Sequence, residues 1–254
     1  MDIGGTVAIV TGAASGIGRA MALALANEGA RAVVIADLDA AGGEDTVRLV
    51  KAAGARAAFF QTDVTETAAV RELIDRAQLQ FSRLDVLCNN AGVGEPVGGL
   101  FAEDADEGAF ARLVEINLGA VIRGTRLGVL KMRELGRGGV IVNTASMAGL
   151  RPLPTSPVYA ATKAGVVNFC RSLKYLHAQE NIRVNAICPS FVDTPLVRRE
   201  GPERVAAMAA ELGLLSPDLV AQGLVELIHD ESRAGAVMRI TSQRGIDYAR
   251  EILP

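Results

Sequence analysis

Lysine occurs four times in 254 residues, histidine twice and cysteine three times, and each scarcity closes off a class of function. His177 and His229 are the only imidazoles, and neither stands near a cysteine or a paired carboxylate, so the spacing of a zinc site is missing. Cys88, Cys170 and Cys188 lie far apart in strand-like or helical apolar runs, which reads as reduced core thiols in a reducing compartment. No charge of one sign dominates. The 29 acidic and 26 basic side chains are spread along the length and leave a formal net charge of -3, with no footing for nucleic acid or a membrane surface. No run approaches the roughly 18 apolar residues of a membrane span, and the opening MDIGGTVAIVTG has no basic leader. Repeats, low-complexity tracts and linkers are absent too. These exclusions leave a cytoplasmic protein acting on a small molecule without a metal.

What is present is alternation. Short β-branched runs at 6–10, 32–36, 85–90, 139–146, 183–189 and 236–241 are separated by helical patterns at about 16–28, 41–53, 67–81, 109–135, 157–179 and 217–230. That order predicts an α/β fold, a single-domain Rossmann-type doubly wound parallel sheet flanked by helices, spanning 1–254. INLGAVI at 116–122 and YAATKAGVVNFC at 159–170 have no broad polar face. A helix apolar on most sides needs cover on most sides, and a second subunit would supply it, making a homodimer or larger homo-oligomer.

VTGAASGIGRA follows the first strand directly and opens a helix. Gly12 permits a tight turn, Gly16 close approach of backbone to phosphate, and Gly18 close helix–strand contact, while free N–H groups and the helix dipole favour an anion. Asp37 ends the second strand about 20 residues on, where an acidic side chain meets an adenosine ribose. The bland alternative is that Asp37 or Asp39 caps the next helix.

Tyr159 and Lys163 are four apart and share one helical face. A cation about 4 Å from a phenol, at an effective dielectric near 20, is worth about 4 kcal/mol, or about three pKa units. Tyr159 would then titrate near neutral pH, where a general acid–base works best. A surface tyrosine beside a solvated lysine is the competing reading. Ser146 ends the strand before this helix, at the sheet edge where open α/β folds bind ligands, and its hydroxyl can share a substrate oxygen with Tyr159. CNNAG at 88–92 ends another strand, and Asn117 is polar within an apolar helix.

With these motifs in order, TGAASGIG, Asp37, Asp63-Val64, NNAG, Asn117, Ser146 and Tyr159 with Lys163, the whole chain resembles the short-chain dehydrogenase/reductase family. The resemblance implies that Ser146 positions a carbonyl or alcohol, Tyr159 exchanges the proton, Lys163 lowers the tyrosine pKa and binds nicotinamide ribose, and Asn117 orders a relay water. It implies an NAD site at Gly12, Ser15, Gly16, Ile17, Gly18, Asp37, Asp63, Val64, Asn89, Ala91 and Gly92, with Pro189, Val192 and Thr194 around the nicotinamide amide. Two places depart from the family: Ser190 follows Pro189 where glycine is usual, and the last strand lacks the Asp-Gly-Gly ending. The C-terminal half is similar to the 15-hydroxyprostaglandin dehydrogenase branch, in which a glutamine three residues before the tyrosine assists the substrate hydroxyl; here Ser156 stands there.

The leading expectation is therefore an NAD-dependent oxidoreductase interconverting a secondary alcohol and its ketone. A silent NAD(H)-sensing protein of the same fold is the alternative, disfavoured because it needs none of Asn117, Ser146, Tyr159 and Lys163 together. An epimerase or dehydratase with bound NAD would carry a larger substrate domain than the segment 191–216. That segment is expected to be a substrate lid, its apolar residues Leu196, Val197, Val205, Met208, Leu212, Leu214 and Leu215 suiting a hydrophobic substrate, with Arg151, Arg198 or Arg199 able to meet a distant carboxylate. Asp37 would repel a 2′-phosphate, and no cation stands at Ser15 or beside Asp37 to offset it. kcat/KM should accordingly favour NAD over NADP, and a ratio near unity or below it refutes the assignment.

Overall fold

The computed structural model describes residues 1–96, 99–103, 106–199 and 201–250. Its centre is one eight-stranded sheet: β1 (Val7–Thr11), β2 (Ala32–Asp37), β3 (Arg56–Gln61), β4 (Val86–Asn89), β5 (Gly139–Thr144), β6 (Ile182–Pro189), β7 (Val237–Thr241) and β8 (Gly245–Tyr248). The spatial order is β3-β2-β1-β4-β5-β6-β7-β8, every pair parallel except β7 with β8. The order reverses between β1 and β4, so connections leave to opposite sides there and open a crevice at the strands' carboxyl ends.

Both faces of the sheet are buried, which explains why its strands read as continuous apolar runs. Ala8 and Val10 of β1 pack toward α1 (Gly16–Asn27), α2 (Ala40–Ala52) and α10 (Pro217–His229), whereas Val7 and Ile9 pack toward the other face. That face is covered by α3 (Thr67–Phe81), α5 (Ala120–Leu135) and α6 (Pro157–Ser172). Each fully buried Val, Leu or Ile contributes about 1.5–3 kcal/mol.

The structure adds elements to the predicted set. β3 was not expected because it is an edge strand with half-exposed positions and alanines at its centre, and β8 because it is four residues long and half-buried. The helix predicted at 109–135 is three pieces: α4 (Glu107–Val114), a π turn (Glu115–Gly119) and α5. The one predicted at 157–179 is α6 and α7 (Tyr175–Glu180), parted where Leu173 and Lys174 N–H groups bond carbonyls three residues back. Segment 191–216 holds α8 (Pro195–Arg198) and α9 (Pro202–Leu212), separated near Gly201; Glu200 lies outside the described residues.

Arg183 is a charge in a strand buried at every position. Its guanidinium donates to the carbonyls of Leu227 (2.7 Å), Ile228 (2.7 Å) and Asp230 (2.8 Å), closing the negative end of α10. Arg183→Leu leaves the buried Leu227 carbonyl without this donor and the Ile228 carbonyl with the Met1 ammonium alone, and should lower the unfolding free energy by about 2–4 kcal/mol, read from urea denaturation.

Candidate functional site

Gly12 has φ 65° and Gly16 φ 52°, conformations that side chains with a Cβ resist, and they bend the chain from β1 into α1. Ser15 precedes the helix without capping it, so the first N–H groups of α1 face the crevice unclaimed by its side chain. The turn is tight against its neighbours. A Cβ on Gly12 would lie 2.7 Å from Ala91 Cα, one on Gly16 would lie 3.0 Å from Thr194 Cγ2, and one on Gly18 would collide with the Gly12 carbonyl. The two aspartates divide their work: Asp39 caps α2 through the Gly42 N–H (3.1 Å), while Asp37 accepts from the Ala14 N–H (2.9 Å) and so braces the glycine turn. Asp63 accepts from the Thr65 N–H (2.9 Å) and hydroxyl (2.7 Å), bonds that hold its carboxyl below the usual range.

Successive residues of a strand point to opposite faces, and this splits the asparagine pair after Cys88. Asn89, expected along the cofactor path, points away from the crevice and bonds Asn143 (2.8 Å) and Thr125 (3.2 Å). Asn90 takes its place, donating to the Thr11 and Gly12 carbonyls (3.1 and 3.3 Å) and accepting from the Thr144 hydroxyl (3.2 Å). Asn117 lies fully buried in the π turn, its amide closed on Val93 in both directions: it accepts from the N–H (2.9 Å) and donates to the carbonyl (2.8 Å). A π turn often marks a functional site, and here it aims a polar side chain inward.

Ser146 caps a short 3₁₀ turn (Met147–Gly149), accepting from the Ala148 N–H (3.1 Å), and its side chain is near enough to the Tyr159 phenol to pull that group's pKa down. Lys163 is buried, 3% exposed, and donates from Nζ to the Thr144 carbonyl (2.8 Å), with Nζ 5.6 Å from the centre of the Tyr159 ring. The expected lowering of the tyrosine pKa is reversed in this geometry: burial pushes the phenol up, and Ser146 pulls against it. Burial also pulls the Lys163 ammonium down, to about 8.

A cleft of about 580 Å³ gathers most of the predicted residues: Gly12, Ser15, Gly16, Ile17, Asp37, Asp63, Val64, Ala91, Gly92, Ser146, Tyr159, Lys163, Pro189, Val192 and Thr194. Gly18, Asn89, Asn117 and Ser156 are not in its lining. Leu38, Asn90, Val93, Arg112 and Ile116, which no sequence motif singles out, line it, and so does Ser190. The Ser190 hydroxyl is buried and has no partner, unlike most such groups. Of the apolar residues expected in the lid, Leu196 and Val197 line the cleft; Val205, Met208, Leu212, Leu214 and Leu215 do not. Arg198 is paired with Asp193 (2.7 Å), Arg199 lines the cleft, and Arg151 does not. Among the described residues no three His, Cys, Asp or Glu side chains gather as a metal site, and no helix is long and apolar enough to cross a membrane.

Residues 6–205 match the short chain dehydrogenase family. The chain belongs to it. A curated relative in this family, cis-4-hydroxycyclohexanecarboxylate dehydrogenase of Sinomonas cyclohexanicum, is 42% identical over 92% of this chain and 94% of its own. The 15-hydroxyprostaglandin dehydrogenase [NAD(+)] of Macaca fascicularis is 37% identical over 98% of this chain and 95% of its own. Among solved structures, levodione reductase superposes with a TM-score of 0.86 at 29% identity, covering 95% of this chain and 98% of its own. The chain is thus an oxidoreductase of the short-chain dehydrogenase family with a Rossmann-type sheet.

A lysine whose folded pKa is about 8 and whose unfolded pKa is near 10.5 makes stability depend on pH. Below pH 8 both states hold the proton and the burial penalty is paid in full. Between 8 and 10.5 the unfolded state holds a proton that the folded state has released, so this group adds stability as pH rises, by about 1 kcal/mol per pH unit. Lys163→Met removes that contribution, and urea titrations of both proteins across this range should differ by that slope.

Proposed function

We propose that this protein is a cytoplasmic, NAD-dependent dehydrogenase that interconverts a hydrophobic secondary alcohol and its ketone. The observation that carries the reading is the gathering of Ser146, Tyr159 and Lys163 in the same cleft as the glycine turn and Asp37. The residues fit the cofactor: three glycines leave room that a Cβ would fill, and the buried Ser190 hydroxyl lacks a partner that a carboxamide would be. Gly12, Ser15, Gly16 and Ile17 would hold the pyrophosphate, Asp37 the adenosine ribose, Asp63 and Val64 the adenine, and Pro189, Val192 and Thr194 the nicotinamide amide. NAD, when bound, supplies the hydride acceptor. The relative named for NAD(+) use supports this choice.

Ser146 donates to the substrate oxygen and holds it beside the phenol. Tyr159 takes the alcohol proton in oxidation and returns it in reduction. Its phenolate is costly in a buried site, and the Lys163 ammonium on the same helix face offsets that cost. Asn117 keeps Val93 and the strand end beside it fixed. Tyr159→Phe keeps the ring and removes the hydroxyl, so turnover should fall at least about 100-fold while NAD titrated calorimetrically still binds. A Phe variant with near-native kcat refutes the role, and a protein that binds NAD with no turnover of any alcohol points instead to a sensor.

Segment 191–216 is the substrate lid in this reading, with Leu196 and Val197 against the substrate and Ser156 near its approach. The relative named for a hydroxycyclohexanecarboxylate suggests an apolar ring or chain ending in a carboxylate, and Arg199 is the cation on the cleft wall suited to meet it. Exposed Ile122 and Leu130 on α5, with small Ala161 and Ala164 on α6, favour a homodimer through α5 and α6. In a series of 2-alkanols kcat/KM should rise by up to about 0.8 kcal/mol per added CH2 until the pocket fills. Adding a terminal carboxylate should raise it further, and Arg199→Ala should abolish that second gain alone.

A further inference from the structure

We propose that Glu95 is a positioning residue for this chemistry, its carboxylate clasping the amide of Tyr159 itself. One carboxylate oxygen accepts from the Tyr159 N–H at 2.6 Å and the other from the Val158 N–H at 3.3 Å. These are N–H groups of the first turn of α6, which has no earlier helical carbonyl to bond. Ser156 occupies the N-cap position, where a serine hydroxyl ordinarily takes such a bond, yet its side chain makes none. A carboxylate from 64 residues earlier in the chain has taken over the cap, and it brings a full charge to the positive end of a 16-residue helix.

The clasp is tied to the rest of the cleft. Two residues before Glu95, Val93 is held through both its N–H and its carbonyl by Asn117 in the π turn. Between them, a Cβ on Gly94 would lie 3.6 Å from the Leu196 side chain of α8. Residues 93–95 therefore tie the π turn, at Val93, to the start of α6, at Glu95, with Leu196 of α8 beside Gly94. Pro157 fixes φ at the first position of α6 and donates no hydrogen bond, so the Val158 and Tyr159 amides are the first that can be anchored. Tyr159 is the third residue of α6, within its frayable first turn, and its hydroxyl must stay beside Ser146 in the cleft. Glu95 holds the backbone from which that hydroxyl hangs.

The inference rests on Tyr159 being the proton-transfer group, and its test separates the two. Glu95→Ala and Glu95→Gln would each be compared with the unaltered protein in kcat, KM for the alcohol, NAD affinity by calorimetry, and amide hydrogen exchange of the peptide covering 157–163. Glu95→Ala should speed exchange of that peptide and lower kcat about tenfold, with NAD affinity unchanged within about twofold. Glu95→Gln, of the same size with one acceptor and no charge, should lie between the two in both readouts, and it serves where the alanine variant folds poorly. Unchanged exchange at 157–163, or a loss of NAD affinity parallel to the loss of kcat in both variants, overturns the clasp. Faster exchange combined with full activity of Tyr159→Phe leaves the clasp in place and overturns its catalytic purpose.

Discussion

A seam of hydrogen bonds runs across the carboxyl ends of β1, β4 and β5, and the cleft is assembled on it. Thr11 ends β1, and its hydroxyl accepts from the Asn90 and Ala91 N–H groups. Asn90 returns the bond to the Thr11 carbonyl and receives one from the Thr144 hydroxyl. The Thr144 carbonyl then accepts from Lys163. Gly12 leaves this seam toward α1, Gly92 toward the Val93 turn, and Ser146 toward α6. A parallel sheet cannot satisfy its strand ends by hairpins, so side chains must do it, and here the side chains that do so also fix the distances among the site residues.

Desolvation is the second constraint. Few charges are buried in this protein, and Lys163 is one of them, drawn down to about 8 by its surroundings. The Tyr159 phenol is raised by the same cause. Each group is therefore less willing to be charged alone than in water. Sequence arithmetic based on helical spacing supplied the attraction between them but not the burial, which opposes it.

The parallel core was legible because β-branched runs buried on both faces, such as β1 and β2, leave a clear pattern. β3 and β8 were hidden because an edge strand borrows half its pairing from a neighbour that only the fold supplies. In the site, local motifs were readable: the glycine turn, Asp37, and the Tyr159–Lys163 pair all lie on the cleft. What escaped was set by alternation or distant contact. Nothing in NNAG says which asparagine faces the ligand side, and nothing near Tyr159 in sequence points to Glu95. Ser190 was noticed as a departure, but its partnerless hydroxyl is a property of the packed cleft.

The π turn between Glu115 and Gly119 puts one residue more into a turn than its flanking helices do. An inserted residue in an α-helix advances the angular phase of everything after it by about 100°. The wider π turn absorbs that advance, so α4 and α5 keep a common face, with residues across the bulge meeting at a spacing one longer than in an unbroken helix. The extra residue lets α5 lay Val121, Leu127 and Met132 on the sheet while Asn117 still turns toward Val93. A single-codon deletion in this stretch would remove the bulge rather than turn the helix: α4 and α5 would keep their faces in one continuous α-helix, and Asn117 would lose the widened turn that aims it at Val93.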